Sequence, residues 1–296
     1  MYKITKKEYL APNIYLMDIE APRVARAANP GQFVIVKIDE IGERIPLTIC
    51  DYDKNAGTVT IIYQTMGSST KRMALMEVGE YFEDSVGPLG RPSEFVEEDL
   101  EQLKKKKIIF VAGGVGAAPV YPQLKWLHEQ GIAADAIVGC KSKEYLLLEK
   151  QMKSVTGNLY IATDDGSYGY KGFVTNLLKD LIEKEGKKYD VVVAIGPMIM
   201  MKFIAKLTKE YGIKTVVSMN PVMVDGTGMC GGCRITVGGE TKFACVDGPE
   251  FDGHLVDFDQ AMRRSTQYKT EEGRAEIERH KKEEGHVCNL GLGVNK

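Results

Sequence analysis

The chain has 296 residues, 44% hydrophobic and 27% charged, with a formal net charge of −2. That length exceeds one ordinary core and points to two domains or more, while the balanced charge excludes an electrostatic hold on nucleic acid or an anionic membrane. No apolar run approaches the ~18 residues of a membrane span. Met1-Tyr-Lys-Ile-Thr-Lys-Lys lacks the apolar stretch of a secretory leader, and the six cysteines, three of them between Cys230 and Cys245, do not form a secreted disulfide pattern. A cytoplasmic protein is expected.

Residues 1–98 carry short alternating or apolar runs at Ile14–Ile19, Phe33–Ile38, Val59–Tyr63 and Tyr81–Val86. Turn residues cut them at Asn29-Pro30-Gly31, Asn55-Ala56-Gly57 and Gly87-Pro88-Leu89-Gly90. Runs of this length and spacing predict a small antiparallel β barrel. Over 99–219 the rhythm changes. Buried-type strands are expected at Ile108–Ala112, Ala136–Gly139, Leu159–Ala162, Val191–Ile195 and Thr215–Ser218, with helices such as Val120–Gln130 and Val174–Lys184 between them. That alternation predicts an α/β domain with a doubly wound parallel sheet. From residue 220 to 296 glycines and cysteines give way to a charged tail, helical over 260–284, which suggests a small lobe organised by a metal. Lys104–Lys107 follows an acidic stretch and reads as a solvated face.

Three groups of residues carry chemistry. Arg44-Ile-Pro46-Leu47-Thr48 lies at the end of a barrel strand, and Gly67-Ser68-Ser69-Thr70 opens a helix. An arginine at a strand end can pair with a diphosphate, and a helix start offers free amides to phosphate. Gly113-Gly114-Val115-Gly116 follows a buried strand, permitting a tight turn and close approach of a pyrophosphate. Asp164-Asp165-Gly166 and Gly196-Pro197 mark two further strand ends at the same edge, where ligands of open α/β sheets bind. Cys140-Lys141-Ser142-Lys143 stands where an acidic ribose clamp is usual, which leaves NAD and NADP both open.

The third group is Asp225, Cys230, Cys233 and Cys245. Their spacing is that of a plant-type [2Fe–2S] ligand set with aspartate in the first position. A zinc site would want a second Cys-x-x-Cys pair, and a redox dithiol normally opens a helix, whereas Cys233 leads into Arg234-Ile-Thr-Val. Asp225 before glycine also fits an ordinary turn. Cys50 and Cys140 at apolar strand ends, and Cys288 in the tail, read as structural. The histidines (His128, His254, His280, His286) show no joint spacing, and Met198, Met200 and Met201 read as core packing.

Arg-x-Pro-Leu-Thr, Gly-Ser-Ser-Thr, Gly-Pro-Leu-Gly, Ala-Gly-Gly-x-Gly-x-Ala-Pro, Thr-Asp-Asp-Gly-Ser and the cysteine cluster occur in that order over residues 1–260. Together they resemble the ferredoxin–NADP reductase superfamily. The resemblance is greatest to small subunits of NADH-dependent ferredoxin:NADP oxidoreductases, also described as sulfide dehydrogenase small subunits. Electron-transfer subunits of dihydroorotate dehydrogenase are near relatives that place cysteine where Asp225 stands. The resemblance implies FAD held by Arg44, Pro46, Leu47 and Thr48, with Gly67, Ser68, Ser69 and Thr70 at its diphosphate and Gly87, Pro88 and Leu89 nearby. It implies NAD(H) lined by Gly113, Gly114, Val115, Gly116, Asp164, Asp165, Gly166, Gly196 and Pro197, and a [2Fe–2S] cluster on Asp225, Cys230, Cys233 and Cys245. It further implies hydride exchange with NAD(H), relay of single electrons to a larger flavin/iron–sulfur subunit in a heterodimer, ferredoxin reached through that complex, and electron bifurcation.

Overall fold

The computed structural model describes residues 1–274 and 277. His280, His286, Cys288 and the end of the expected tail helix lie outside the described residues. Strands β1 (Tyr2–Ala11) and β2 (Ile14–Glu20) form a hairpin, followed by helix α1 (Pro22–Ala27) and strands β3 (Phe33–Lys37), β4 (Arg44–Asp53) and β5 (Thr58–Gln64). Helix α2 (Ser68–Leu75) then precedes β6 (Tyr81–Phe82) and β7 (Asp84–Leu89). The strands pair antiparallel in the order β6-β1-β2-β5-β4-β3-β7. Glu83 alone separates the two edge strands in the chain, so the sheet curls nearly onto itself as a barrel. The single strand expected over Tyr81–Val86 is therefore two, broken where the chain passes from one sheet edge to the other. Ile4, Met17, Ile19, Val36, Ile61 and Phe82 fill the interior, as the period-2 alternation of half-buried strands requires.

After the short α3 (Leu100–Leu103), strands and helices alternate: β8 (Ile108–Gly113), α4 (Ala117–Glu129), β9 (Asp135–Cys140), α5 (Glu149–Val155) and β10 (Leu159–Thr163). The short β11 (Tyr170–Lys171), α6 (Val174–Glu183), β12 (Val191–Ile195), α7 (Met198–Glu210) and β13 (Lys214–Ser218) complete this stretch. The last part of the chain holds the hairpin β14 (Arg234–Val237) and β15 (Glu240–Phe243), then β16 (Glu250–Asp252) and α8 (Phe258–Arg264). The second sheet runs β11-β10-β9-β8-β12-β13-β16, parallel except for β16.

Both faces of this sheet are covered, which is why its strands are continuous apolar runs. On β8, Ile109 and Val111 pack with α6 and α7, whereas Phe110 and Ala112 pack with α4 and α5. Ile14, Leu16, Cys50 and Ile62 from the outside of the barrel share the core of α4 and join the two units. The segment after Asn220 does not stand apart. It returns β16 to the parallel sheet, and Cys233, Ile235, Val256 and Phe258 share the α6–α7 core. Among the described residues no helix is long and apolar enough to cross a membrane.

Candidate functional site

Arg44 begins β4, paired with Lys37, and does not end a strand as the sequence suggested. The β3–β4 connection closes immediately before it, and Pro46, Leu47 and Thr48 continue the ladder opposite Ile35, Val34 and Phe33. Those three residues are all half-buried, which breaks the in-out alternation and marks the wall of a cleft. Across β3, Arg44 Nη1 lies 3.6 Å from Asp84 Oδ2, and Arg44 Nε donates to the Val224 carbonyl at 3.0 Å. The start of α2 is adjacent, since Ser69 Oγ donates to the carboxylate of Glu43. Thr70 Oγ1 accepts the amides of Met66 (2.9 Å) and Gly67 (3.2 Å), and the next amides of the first turn have no intrahelical carbonyl. The Glu43 carboxylate thus stands at the helix start where the sequence suggested a diphosphate. Gly87 and Pro88 sit in a bulge of β7 against β3, and a Cβ on Gly87 would lie 2.7 Å from Val34 Cγ1.

The parallel register brings Gly113, Cys140, Asp164 and Gly196 to one edge of the second sheet. The chain order reverses between β8 and β12, so the crevice there is the switch point at which such folds take ligands. Its glycines do different work. A Cβ on Gly116 would come within 2.2 Å of the Ile195 carbonyl oxygen, and one on Gly196 within 3.0 Å of Gly113 Cα. These residues let the β8–α4 and β12–α7 turns pack against each other. Gly114, with φ +55, has open space where a Cβ would point, and the half-buried Val115 follows it. Pro197 caps α7, and Met200 lies against Gly113 and Gly196. The end of β9 carries no acid, but the turn after β10 lays two beside it. The amides of Asp164 and Asp165 donate to the carbonyls of Cys140 (3.1 Å) and Lys141 (3.2 Å). Hydrogen bonds from Ser167 hold the Asp165 carboxyl below its ordinary range, and Gly166 turns the chain with φ +78.

The cysteine loop packs on the barrel. A Cβ on Gly226, at φ +77, would meet Leu89 Cδ1 at 2.7 Å and Ile35 Cδ1 at 2.8 Å. Cys233 and Cys245 are buried with Sγ atoms 3.2 Å apart and unbonded, while Cys230 is exposed. Asp225 Oδ1 accepts the Thr227 amide (2.9 Å) and Oδ2 the Cys230 amide (2.8 Å). The Thr227 amide leads in keeping this carboxyl below its ordinary range, so it is ionised. Among the described residues no three His, Cys, Asp or Glu side chains converge on one point. The four candidates instead form a buried pair, Cys233 with Cys245, and a second pair of the half-buried Asp225 with the exposed Cys230. Two pairs suit a two-metal group better than a single ion. Burial raises the Cys245 thiol well above its usual range, an effect that metal charge reverses. The donor set therefore fits an iron–sulfur cluster, with Asp225 retaining a free lone pair on each oxygen.

One group has no sequence signature. Glu250 on β16 accepts hydrogen bonds from Ser93 Oγ (3.0 Å) and Gln123 Nε2 (2.8 Å), joining the barrel end, α4 and the last segment. Nearby, Arg91 N donates to the Gly248 carbonyl and Met219 N to that of Pro249. Burial pushes the Glu250 carboxyl up to about 7, against the pull of its two donors.

An antiparallel barrel joined to a nucleotide-type sheet, with a cysteine loop packed on the barrel, defines an electron-transfer oxidoreductase subunit of the ferredoxin-reductase type. Residues 220–257 match the model of the iron–sulfur cluster binding domain of dihydroorotate dehydrogenase B. The chain is 62% identical over 291 residues to an uncharacterized protein in the adh 3′ region of Clostridium beijerinckii, covering 98% of this chain and 97% of that one. It is 42% identical to a dihydroorotate dehydrogenase B (NAD(+)) electron transfer subunit homolog of Thermotoga maritima, covering 91% of this chain and 92% of that relative. Among solved structures, one from a study of flavin-based electron bifurcation by NADH-dependent reduced ferredoxin-NADP oxidoreductase superposes with TM-score 0.86 at 40% identity, over 94% of this chain and 97% of that one. The chain belongs to the family of dihydroorotate dehydrogenase B electron transfer subunits and their homologues. FAD, NAD(H) and an iron–sulfur cluster, expected from the sequence, are the cofactors of this reductase class.

Proposed function

We propose that this chain is the small, electron-transfer subunit of an NADH-dependent ferredoxin:NADP oxidoreductase that works by electron bifurcation, paired with a larger flavin/iron–sulfur subunit. The observation that carries the reading is the seating of the cysteine loop on the barrel, Gly226 against Ile35 and Leu89, directly beside the strand bearing Arg44. FAD bound in the barrel cleft would supply the conversion of a hydride's electron pair into single electrons. The chain's residues do the rest. Gly114 and the amides of the α4 start receive the nucleotide's phosphates, and Asp164 and Asp165 meet its ribose. Arg44 and the first turn of α2 hold the flavin diphosphate, while Pro46, Leu47 and Thr48 form the cleft wall. Asp225, Cys230, Cys233 and Cys245 hold the cluster, with Cys230 on the exposed side facing a partner.

A second reading, the electron-transfer subunit of a dihydroorotate dehydrogenase, is favoured by the match of residues 220–257. Asp225 in place of the cysteine found in that branch weighs against it. The test is anaerobic purification with analysis of iron, sulfide and flavin, then addition of NADH. About two irons and two sulfides per chain, flavin bands and bleaching by NADH support the common reading; a colourless, zinc-loaded chain refutes it. Co-purification of a pyrimidine-pathway flavoprotein selects the second reading over the first.

A further inference from the structure

The flavin strand and the cluster loop are joined by one side chain. Arg44 Nε donates to the carbonyl of Val224, 180 positions later and immediately before Asp225. The other side of the guanidinium is steered by Asp84 at 3.6 Å, and the side chain remains 30% exposed, so the fork keeps an edge free for an anion in the cleft. The strand geometry explains how one residue reaches both. Lys37 of β3 pairs with Arg44 on one side and with Asp84 on the other, so the arginine spans the outside of β3. Two residues beyond Val224, Gly226 presses its Cα between Leu89 of β7 and Ile35 of β3. The loop carrying the first two candidate cluster ligands is therefore fixed to the barrel by one apolar seat and one hydrogen bond. The hydrogen bond comes from Arg44 of the first flavin motif, and Leu89 of the apolar seat belongs to the Gly-Pro-Leu-Gly motif.

We propose that Arg44 is a positioning residue for the cluster loop, fixing the Val224–Asp225 backbone through Nε independently of its part in flavin binding. This rests on the proposed reading of Asp225, Cys230, Cys233 and Cys245 as the cluster site. A guanidinium can serve both ends because its donors point in different directions within one plane, whereas a lysine ammonium is a single point of charge. Arg44→Lys thus keeps charge for a diphosphate and loses the Val224 contact.

The experiment uses the full chain with its cluster loaded and its flavin stripped, so that flavin affinity cannot contribute. Iron release to a strong chelator and the electron paramagnetic resonance spectrum of the reduced cluster are compared for the parent, Arg44→Ala, Arg44→Lys and Asp84→Asn. Loss of a charge-assisted hydrogen bond predicts that both Arg44 variants release iron roughly tenfold faster, with an altered spectrum, while Asp84→Asn stays near the parent. Parent-like release and spectrum in Arg44→Lys overturn the proposal. So does equal acceleration in Asp84→Asn, which would mean general loosening of the barrel. A chain that takes up no iron–sulfur cluster fails the underlying site reading before this comparison, and that outcome overturns both. Full flavin retention by Arg44→Ala, measured separately by absorbance, counts against the flavin role alone.

Discussion

Glu250 offers the clearest pH-dependent test. Its donors, Ser93 and Gln123, are both fully buried at 0% exposure, and among the described residues no cation forms an ion pair with it. The charged side chains around it are already paired, Glu94 with Lys214 and Glu98 with Lys106. Gln123 Oε1 is buried without a hydrogen-bond partner, so the cluster is one donor short. The carboxyl rises from 4.5 to about 7 in the folded chain. Below pH 4.5 the group is protonated in both states and contributes nothing. Between 4.5 and about 7 the folded chain holds a proton that the unfolded chain has lost, so stability falls as pH rises. Above that window the full cost of the buried carboxylate is present, ~3 kcal/mol at about 1.36 kcal/mol per tenfold change in proton affinity. Glu250→Gln keeps the acceptor for Ser93 and Gln123 and brings an N–H for Gln123 Oε1. Thermal unfolding of parent and variant, followed by circular dichroism from about pH 5 to about 8.5, is expected to show little difference at the acid end. The variant should be on the order of 5 °C more stable at the alkaline end. A pH-independent difference, or a less stable variant at alkaline pH, would falsify the reasoning.

Gly116→Ala places a Cβ 2.2 Å from the Ile195 carbonyl oxygen and must push the two crevice turns apart. NADH affinity, measured by fluorescence titration, should fall more than about tenfold, and parent-like binding would show that the turns tolerate separation. Gly114→Ala meets no protein atom, so its cost to the fold is the ~1 kcal/mol of a strained positive φ, read as a small drop in melting temperature, while the methyl occupies the space assigned to the phosphates and should weaken NADH binding; parent-like affinity would contradict the assignment. Asp225→Cys should retain the cluster while changing its spectrum and potential, because thiolate replaces carboxylate. An unchanged spectrum and potential would mean that Asp225 serves only the Thr227 and Cys230 amides.

Much of the fold was legible because its strands announce themselves. Val191–Ile195 and Ile108–Gly113 are buried on both faces, so their sequences are uninterrupted apolar runs, and the helices expected at Val120–Gln130 and Val174–Lys184 form as α4, which starts three residues earlier, and α6. β1 was not legible. In Tyr2–Ala11 only Ile4 and Ala11 are buried, and Lys6, Lys7 and Glu8 interrupt any alternation, so pairing with β2 decides its state. β16 has three residues and owes its existence to the open edge of β13. Glu250, which it carries, could not be distinguished from any exposed glutamate, since its partners lie 157 and 127 positions away.

The candidate site divides along the same physical line. The spacing of Cys230 and Cys233 is local, so the pair could be nominated as candidate ligands by counting, and the glycine turn after β8 by its place behind an apolar strand. What counting leaves out is the packing around each glycine. Gly113, Gly116 and Gly196 look like three provisions for a pyrophosphate, yet two turns packed against each other already demand them, and only Gly114 opens outward. A glycine pattern is thus evidence for the crevice through the packing that builds it, not through contact with the ligand. The converse holds for Arg44, whose motif suggests one partner while its Nε is bonded to the cysteine loop. Motifs record what a residue does near its own strand. A contact such as that of Arg44 with Val224 is made between segments 180 positions apart, and only the folded chain displays it.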